Sequence, residues 1–249
     1  MDYQYLQYEK EDSIAVVTLN RPQNFNALNL PLMAEIGDAF TRMEKEEDIN
    51  AVVLTGGERA FCAGFDMETV MHEDKAAIIK ACQDSFIRIL RFPMPVIAAV
   101  TGPALAAGFD LMVMADFRVF SDNVRVGQPE IVWALTPLSD PLWKIIGLGR
   151  AKEVTMTGRI YGAQEAKEMG LANYVFPRAT YLEEAKKIAR DIARFDRAAL
   201  QANKEQTNRV PGMEVEAAIR TQIWTFRNFV GSEDMTRRMT QFLESNKQK

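Results

Sequence analysis

Two carboxylates stand in stretches that are otherwise apolar. Asp110 falls within Thr101-Gly-Pro-Ala-Leu-Ala-Ala-Gly-Phe-Asp-Leu-Met-Val-Met114, where a Gly-Pro turn opens into an almost wholly apolar run. A helix that is apolar all round is buried, and a buried acid persists only when it is paired or used. Glu130 is delivered by the turn Val126-Gly-Gln-Pro-Glu130, just ahead of Ile131-Val-Trp-Ala-Leu135. The step from Asp110 to Glu130 crosses one helix and one strand, so a fold that returns the chain brings both acids to one cleft, where they can move protons as a pair. A third stretch offers backbone rather than side chains. Val52, Val53 and Leu54 read as a buried strand stopped by Thr55-Gly-Gly57, and the small apolar loop Phe61-Cys-Ala-Gly64 that follows is either a tight turn or a pocket wall. Glycine at position 64 would let a second molecule approach the main chain closely.

The elements that must position these groups can be taken in order. Ile14 to Leu19 is a β-branched run closed by Asn20-Arg-Pro22 and reads as a strand. Leu32, Ile36, Ala39, Phe40 and Met43 recur at helical spacing, predicting an amphipathic helix from about Leu30 to Glu46. With the strand at Ala51 to Leu54, this gives strand, helix, strand, and hence parallel pairing. Thr69 to Arg91 suits one helix with a polar front end that contains His72, the only histidine, which reads as solvated rather than catalytic. Val96 to Val100 is a third buried strand and Arg118 to Ser121 a further one. After the breaks at Thr136-Pro-Leu-Ser-Asp-Pro141 come short helices, Leu142 to Ile146 and Ala151 to Thr157, then Ile160 to Gly170 with its C-capping glycine, and the stretch Tyr174-Val-Phe-Pro177 that closes the sheet region. Beyond Pro177 four amphipathic helices follow without strands, so the expected division is a core at 1–177 and a helical region at 178–249 whose apolar stripes call for a partner.

Composition narrows the class. The 249 residues are 47% hydrophobic, enough for a substantial core, and the net charge of −4 leaves no basic footprint for nucleic acid or an anionic membrane. Cys62 and Cys82 lack metal-ligand spacing and read as reduced thiols. With no apolar run approaching a membrane span and no leader-like start, the expected location is the cytoplasm.

Taken together, Leu19-Asn-Arg-Pro22 with Asn26-Ala-Leu28, Gly56 to Asp66, Pro95 to Leu111, Ala115-Asp-Phe-Arg118, Gly127-Gln-Pro-Glu130, Gly147 to Ala151 and Gly158 to Gly170 resemble, in order and spacing, the crotonase superfamily of enoyl-CoA hydratases and isomerases. The resemblance implies an α/β fold in which a spiral of ββα turns forms two stacked sheets, with C-terminal helices that assemble trimers, often paired into hexamers. Repeated strand-helix units by themselves would have pointed to a doubly wound sheet.

By motif match, the backbone N–H groups of Phe65 and Ala107 form an oxyanion hole for a thioester oxygen, which lowers the barrier by stabilising the charge that develops there. Glu130 matches the acid that exchanges the proton at Cα, and Asp110 matches its partner but is one methylene shorter. Coenzyme A is expected against Asn26, Ala27 and Leu28 and the backbone of Ala63, Phe65, Asp66, Met67 and Gly108. No separate cofactor or metal is implied, because the substrate carries the coenzyme. Ala106-Ala107-Gly108 stands where three glycines are usual, and Phe65 where a small residue is common, so the pocket is expected to be narrow. Asp140 is either a third acid or a helix N-cap, and Trp133 and Phe109 either bound the acyl site or pack the core. The implied activity is hydration of an enoyl-CoA by Asp110 and Glu130. Isomerisation or decarboxylation through Glu130, and a non-catalytic acyl-CoA binder, are the alternatives.

Overall fold

The computed structural model describes residues 2–247. The chain opens with strand β1 (Leu6–Glu11) and strand β2 (Ile14–Leu19), an antiparallel hairpin in which Leu6 faces Leu19 across the ladder. The first of these is missing from the sequence reading, because its charged side chains Glu9, Lys10 and Glu11 line the solvent edge of the sheet and hide the alternation. Helix α1 (Leu30–Met43) starts at Asn29, whose side chain accepts from the Leu32 N–H, and buries Leu32, Met33, Ile36, Ala39, Phe40 and Met43. Strand β3 (Ala51–Thr55) is buried throughout.

The expected helix from Thr69 to Arg91 is two helices, α2 (Met67–His72) and α3 (Lys75–Arg91). Asp74 breaks them, since its carboxylate caps α3 by accepting from the Ala77 N–H. Strand β4 (Val96–Val100) is followed by the short strand β5 (Pro103–Leu105), helix α4 (Ala107–Val113), strand β6 (Phe117–Ser121) and strand β7 (Arg125–Gly127). A 3-10 turn at Pro129–Trp133 leads to helices α5 (Leu142–Ile146) and α6 (Leu148–Thr157). The span read as one helix from Ile160 to Gly170 opens instead with strand β8 (Ile160–Tyr161) before helix α7 (Ala163–Glu168); strand β9 (Tyr174–Phe176) and helix α8 (Tyr181–Ala193) follow.

Two sheets result. The larger has the order β1-β2-β3-β4-β6-β9 and is parallel from β2 onward; the smaller is β5-β7-β8. This two-sheet arrangement, rather than one doubly wound sheet, is the one the resemblance implies. Helix α8 lays Tyr181, Ala185, Ala189 and Ala193 against Ile14, Val16, Val53, Ile97, Ala99 and Val119 of the large sheet. Because of that packing the first compact unit extends through Arg194, past the line expected at Pro177. The second unit, from Phe195, consists of helices α9 (Arg197–Arg209), α10 (Val215–Arg227) and α11 (Glu233–Lys247). No helix among the described residues is long and apolar enough to cross a membrane.

Candidate active site

The loop after β3 is held from both sides by main chain. Phe61 N–H donates to the Thr101 carbonyl, Cys62 N–H to the Pro103 carbonyl, and Leu105 N–H back to Cys62, which lines the loop up beside β5. On the other side Ala63 N–H donates to Phe25, Leu28 N–H to Gly64, and Asp66 N–H to Leu28. The N–H groups of Phe65 and Ala107, the two assigned by the resemblance, make no hydrogen bond within the described residues, and neither do their neighbours Gly64, Gly108 and Phe109. The first-turn N–H groups of a helix have no partner within it, so the Ala107 donor, like that of partly buried Phe65, is open to an acceptor.

They lie on either side of Gly64. A Cβ built on that glycine would fall 3.7 Å from the Ala107 nitrogen, and Gly64 itself sits at φ 108°, a conformation side chains resist. Close packing fixes the second donor as well. Gly108 rests so tightly on the Cys62 carbonyl that a Cβ would come within 2.1 Å of its oxygen. Ala106, with φ 51° and ψ −127°, turns the chain into α4 in a backbone region that glycine favours, and its own N–H donates to Gly127 at 3.0 Å. The structure thus carries an alanine in a glycine-like conformation beside the second donor.

Asp110 lies one turn along α4, 4% exposed, and its carboxyl is held well above the usual range by burial and, secondly, by the nearby charge of Glu130. Glu130 is half-buried in the 3-10 turn, its carboxyl also raised by burial, and its Oε2 is enclosed without a hydrogen-bond partner. Two glycines seat that turn: Gly127, where a Cβ would meet the Arg159 carbonyl at 2.4 Å, and Gly158, at φ 64°, where it would meet Ile131 and Val132. The charge of Glu130 is felt at Asp110, so the two acids are neighbours, one buried and one half-buried, each with its pKa raised.

Gln128, quoted in the sequence only as part of a motif, joins them. Its Nε2 donates to Asp110 Oδ1 at 2.5 Å and to the Leu138 carbonyl at 2.9 Å. A glutamine two residues ahead of Glu130 in an apolar stretch was the available signal.

The residues expected against the coenzyme are mostly engaged with the protein itself. Asn26 is fully buried; its Oδ1 accepts from the Arg21 N–H and its Nδ2 donates to the carbonyls of Gly56, Ala60 and Phe61. Asp66 caps α2 through the Glu68 N–H and pairs with Arg21 at 3.0 Å, while Arg21 also donates to the Ala27 carbonyl. Arg21 went unnoticed in the sequence because its role lies between segments far apart in the chain. Met67 is exposed at the start of α2, and Gly108 is buried beneath Cys62. In this hydrogen-bonded loop cluster Leu28 is fully buried, while Ala27 and Phe65 are partly exposed.

Asp140 is exposed and occupied by Lys144 at 2.9 Å and the Trp143 indole N–H at 3.2 Å; the N-cap position of α5 is Pro141. His72 is exposed beside Glu68. Phe109 belongs to the core, whereas Trp133 is 70% exposed. Cys62 and Cys82 are free thiols, each raised by burial, Cys62 to about 12.

Comparison with known proteins places this arrangement. A model of the enoyl-CoA hydratase/isomerase family matches residues 9–249. The chain is 34% identical over 248 residues to a short-chain-enoyl-CoA hydratase of Clostridium acetobutylicum, spanning 96% of this chain and 94% of the relative. It is 33% identical over 254 residues to a crotonyl-CoA hydratase of Syntrophomonas wolfei, spanning 99% and 98%. The crystal structure of an enoyl-CoA hydratase from Bacillus anthracis superposes with a TM-score of 0.93 at 30% identity, covering 97% of each chain. With the paired donors, the two acids and the two-sheet frame already in place, these likenesses make the chain a member of the enoyl-CoA hydratase/isomerase family and an enzyme of that family.

Proposed function

We propose that the enzyme adds water across the double bond of a short 2-enoyl-CoA, using Phe65 and Ala107 as an oxyanion hole and Glu130 with Asp110 as its acid/base pair. The observation that supports this reading is the unbonded N–H groups of Phe65 and Ala107 near Gly64, with buried Asp110 one turn along the same helix and half-buried Glu130 close enough to shift it. In such a site the thioester oxygen accepts from both N–H groups. As the water oxygen bonds to Cβ, the π electrons move toward the carbonyl and negative charge collects on that oxygen, where preorganised donors are worth several kcal/mol. The two acids hold the water between them, one takes its proton, and Glu130 delivers a proton to Cα. The burial that raises both carboxyls is the condition for acids that must give up and take back protons near neutral pH. The names of the Clostridium and Syntrophomonas relatives support a short acyl chain.

Isomerisation is favoured by one observation: Glu130 Oε2 is unpartnered while Asp110 Oδ1 is already bonded to Gln128, which leaves Glu130 the freer base for moving a proton between Cα and Cγ. Incubation with crotonyl-CoA and with a 3-enoyl-CoA in deuterated water, followed by mass spectrometry, separates the two, because hydration adds the whole mass of D2O whereas isomerisation adds no water and changes the mass only by deuterium exchanged for hydrogen. Under the hydration reading, wild type consumes the conjugated absorbance of crotonyl-CoA and Glu130→Gln loses this activity by at least about a hundredfold while still binding CoA. Hydration surviving in Glu130→Gln overturns the assignment. In the helical unit, Ile219, Ile223, Trp224 and Phe226 of α10 are exposed on the single chain, which supports assembly as a trimer or a dimer of trimers.

A further inference from the structure

We propose that Gln128 is a positioning residue for Asp110: its amide nitrogen ties one carboxyl oxygen of Asp110 to the loop at Leu138, so that the other oxygen carries the exchangeable proton, and its carbonyl oxygen is offered to a hydroxyl donor at the reacting centre. This rests on the hydration reading above. Gln128 is completely buried, and its Nε2 spends both hydrogens, one on Asp110 Oδ1 and one on the Leu138 carbonyl. The second bond fixes which way the amide faces. Turned over, the side chain would set its oxygen against the Leu138 carbonyl, two acceptors with no hydrogen between them. With Oδ1 held as an acceptor, a proton on Asp110 sits on Oδ2.

The same orientation leaves Gln128 Oε1 enclosed and without a partner, as is Glu130 Oε2. A buried amide oxygen calls for a donor. Neither a double bond nor a thioester has one, whereas water and the hydroxyl of a 3-hydroxyacyl-CoA do. The ligand class that completes the cluster is therefore the hydroxylated one, and the contribution of Gln128 falls on turnover rather than on binding of the unsaturated thioester. The titratable groups facing Asp110 are Glu130 from the 3-10 turn and the Cys82 thiol from α3, and both are present unchanged when Gln128 is replaced.

Gln128→Met keeps the length and removes both hydrogen-bonding ends. The expected result is a fall in kcat for crotonyl-CoA hydration of roughly tenfold or more, with KM within about twofold. The Asp110 limb of the kcat profile should move to higher pH, because the lost bond favoured the ionised form. In an Asp110→Asn background the same change should cost less than about twofold further, since residues acting as a unit are not additive. Equal losses in both backgrounds, or a rise in KM with kcat unchanged, overturns the proposal. Carbon-13 NMR titration of the Asp110 carboxyl in the ligand-free protein needs no turnover: a midpoint higher in Gln128→Met than in wild type supports the proposal, and an unmoved midpoint overturns it. If wild type adds no water at all, the hydration reading fails, and the NMR titration still decides the role of Gln128. Should the methionine variant melt too early to study, Gln128→Leu, which removes the donor without adding a charge, is read by the same upward movement.

Discussion

Replacing Gly64 by alanine puts a single methyl group into the space between the two free donors. The added Cβ would lie 3.1 Å from the Leu105 carbonyl, 3.1 Å from the Ala106 methyl and 3.7 Å from the Ala107 nitrogen, so an oxygen bound there would be displaced from at least one N–H. Losing one such donor costs about 10²- to 10³-fold in kcat. Backbone strain at φ 108° adds a stability loss of roughly 1–2 kcal/mol, partly offset by about 0.4–1 kcal/mol from the stiffer unfolded chain. Gly57 provides a matched control. It also has a left-handed φ, 72°, but an added Cβ there would meet only the Thr18 methyl at 3.9 Å, so Gly57→Ala carries backbone strain without crowding and without entering the site. Crotonyl-CoA hydration followed by loss of enoyl absorbance, alongside thermal melts of both variants, should show both melting below wild type, Gly64→Ala by the larger margin, and kcat reduced in Gly64→Ala alone. A Gly64→Ala enzyme within tenfold of wild type, or the same loss of kcat in Gly57→Ala, would refute the placement of the oxyanion hole.

Other consequences can be checked by denaturation. Burial raises Asp110 above its unfolded value, so between the unfolded and folded pKa the unfolded state binds fewer protons than the folded state, and stability declines as pH rises through that window. Asp110→Asn removes the decline: the variant should be more stable than wild type by on the order of 1 kcal/mol at neutral pH, less so near pH 4, while losing hydration activity. Urea unfolding at several pH values tests this, and a pH-independent difference would contradict it. Asn26→Ala leaves the carbonyls of Gly56, Ala60 and Phe61 and the Arg21 N–H without their partner in a closed interior, and should destabilise by roughly 3 kcal/mol or more in chemical denaturation. A loss below about 1 kcal/mol would show that Asn26 serves the ligand rather than the fold.

The two acids were legible because a carboxylate in an apolar run is conspicuous in sequence alone. The donors were not: a peptide N–H carries no residue signature, and Phe65 and Ala107 were placed only by resemblance. Regular elements with strong periodicity, such as α1 and β2 to β4, stand where the pattern predicts. Misjudged boundaries share a cause, namely a local polar signal with two meanings. Asp74 lies in the polar front end expected of a single helix, yet it is the cap that separates α2 from α3. Asn26 was assigned to the coenzyme loop, but its bonds reach residues 30 to 35 positions away, a relation no local pattern contains. The same holds for Arg21 with Asp66 and for Gln128 with Asp110. Single-chain patterns report what a segment buries, and these residues act by tying segments together.

The seat of Gly108 on the Cys62 carbonyl has a consequence for how such an enzyme can change its substrate. There the two donor-bearing segments meet main chain to main chain, with no side chain between them to be enlarged or trimmed. The spacing of the donors is thereby insulated from substitution, and the region free to vary is the exposed apolar stretch from Ile131 to Leu138. Substitutions in that stretch leave the main-chain seat of Gly108 on Cys62 as it is.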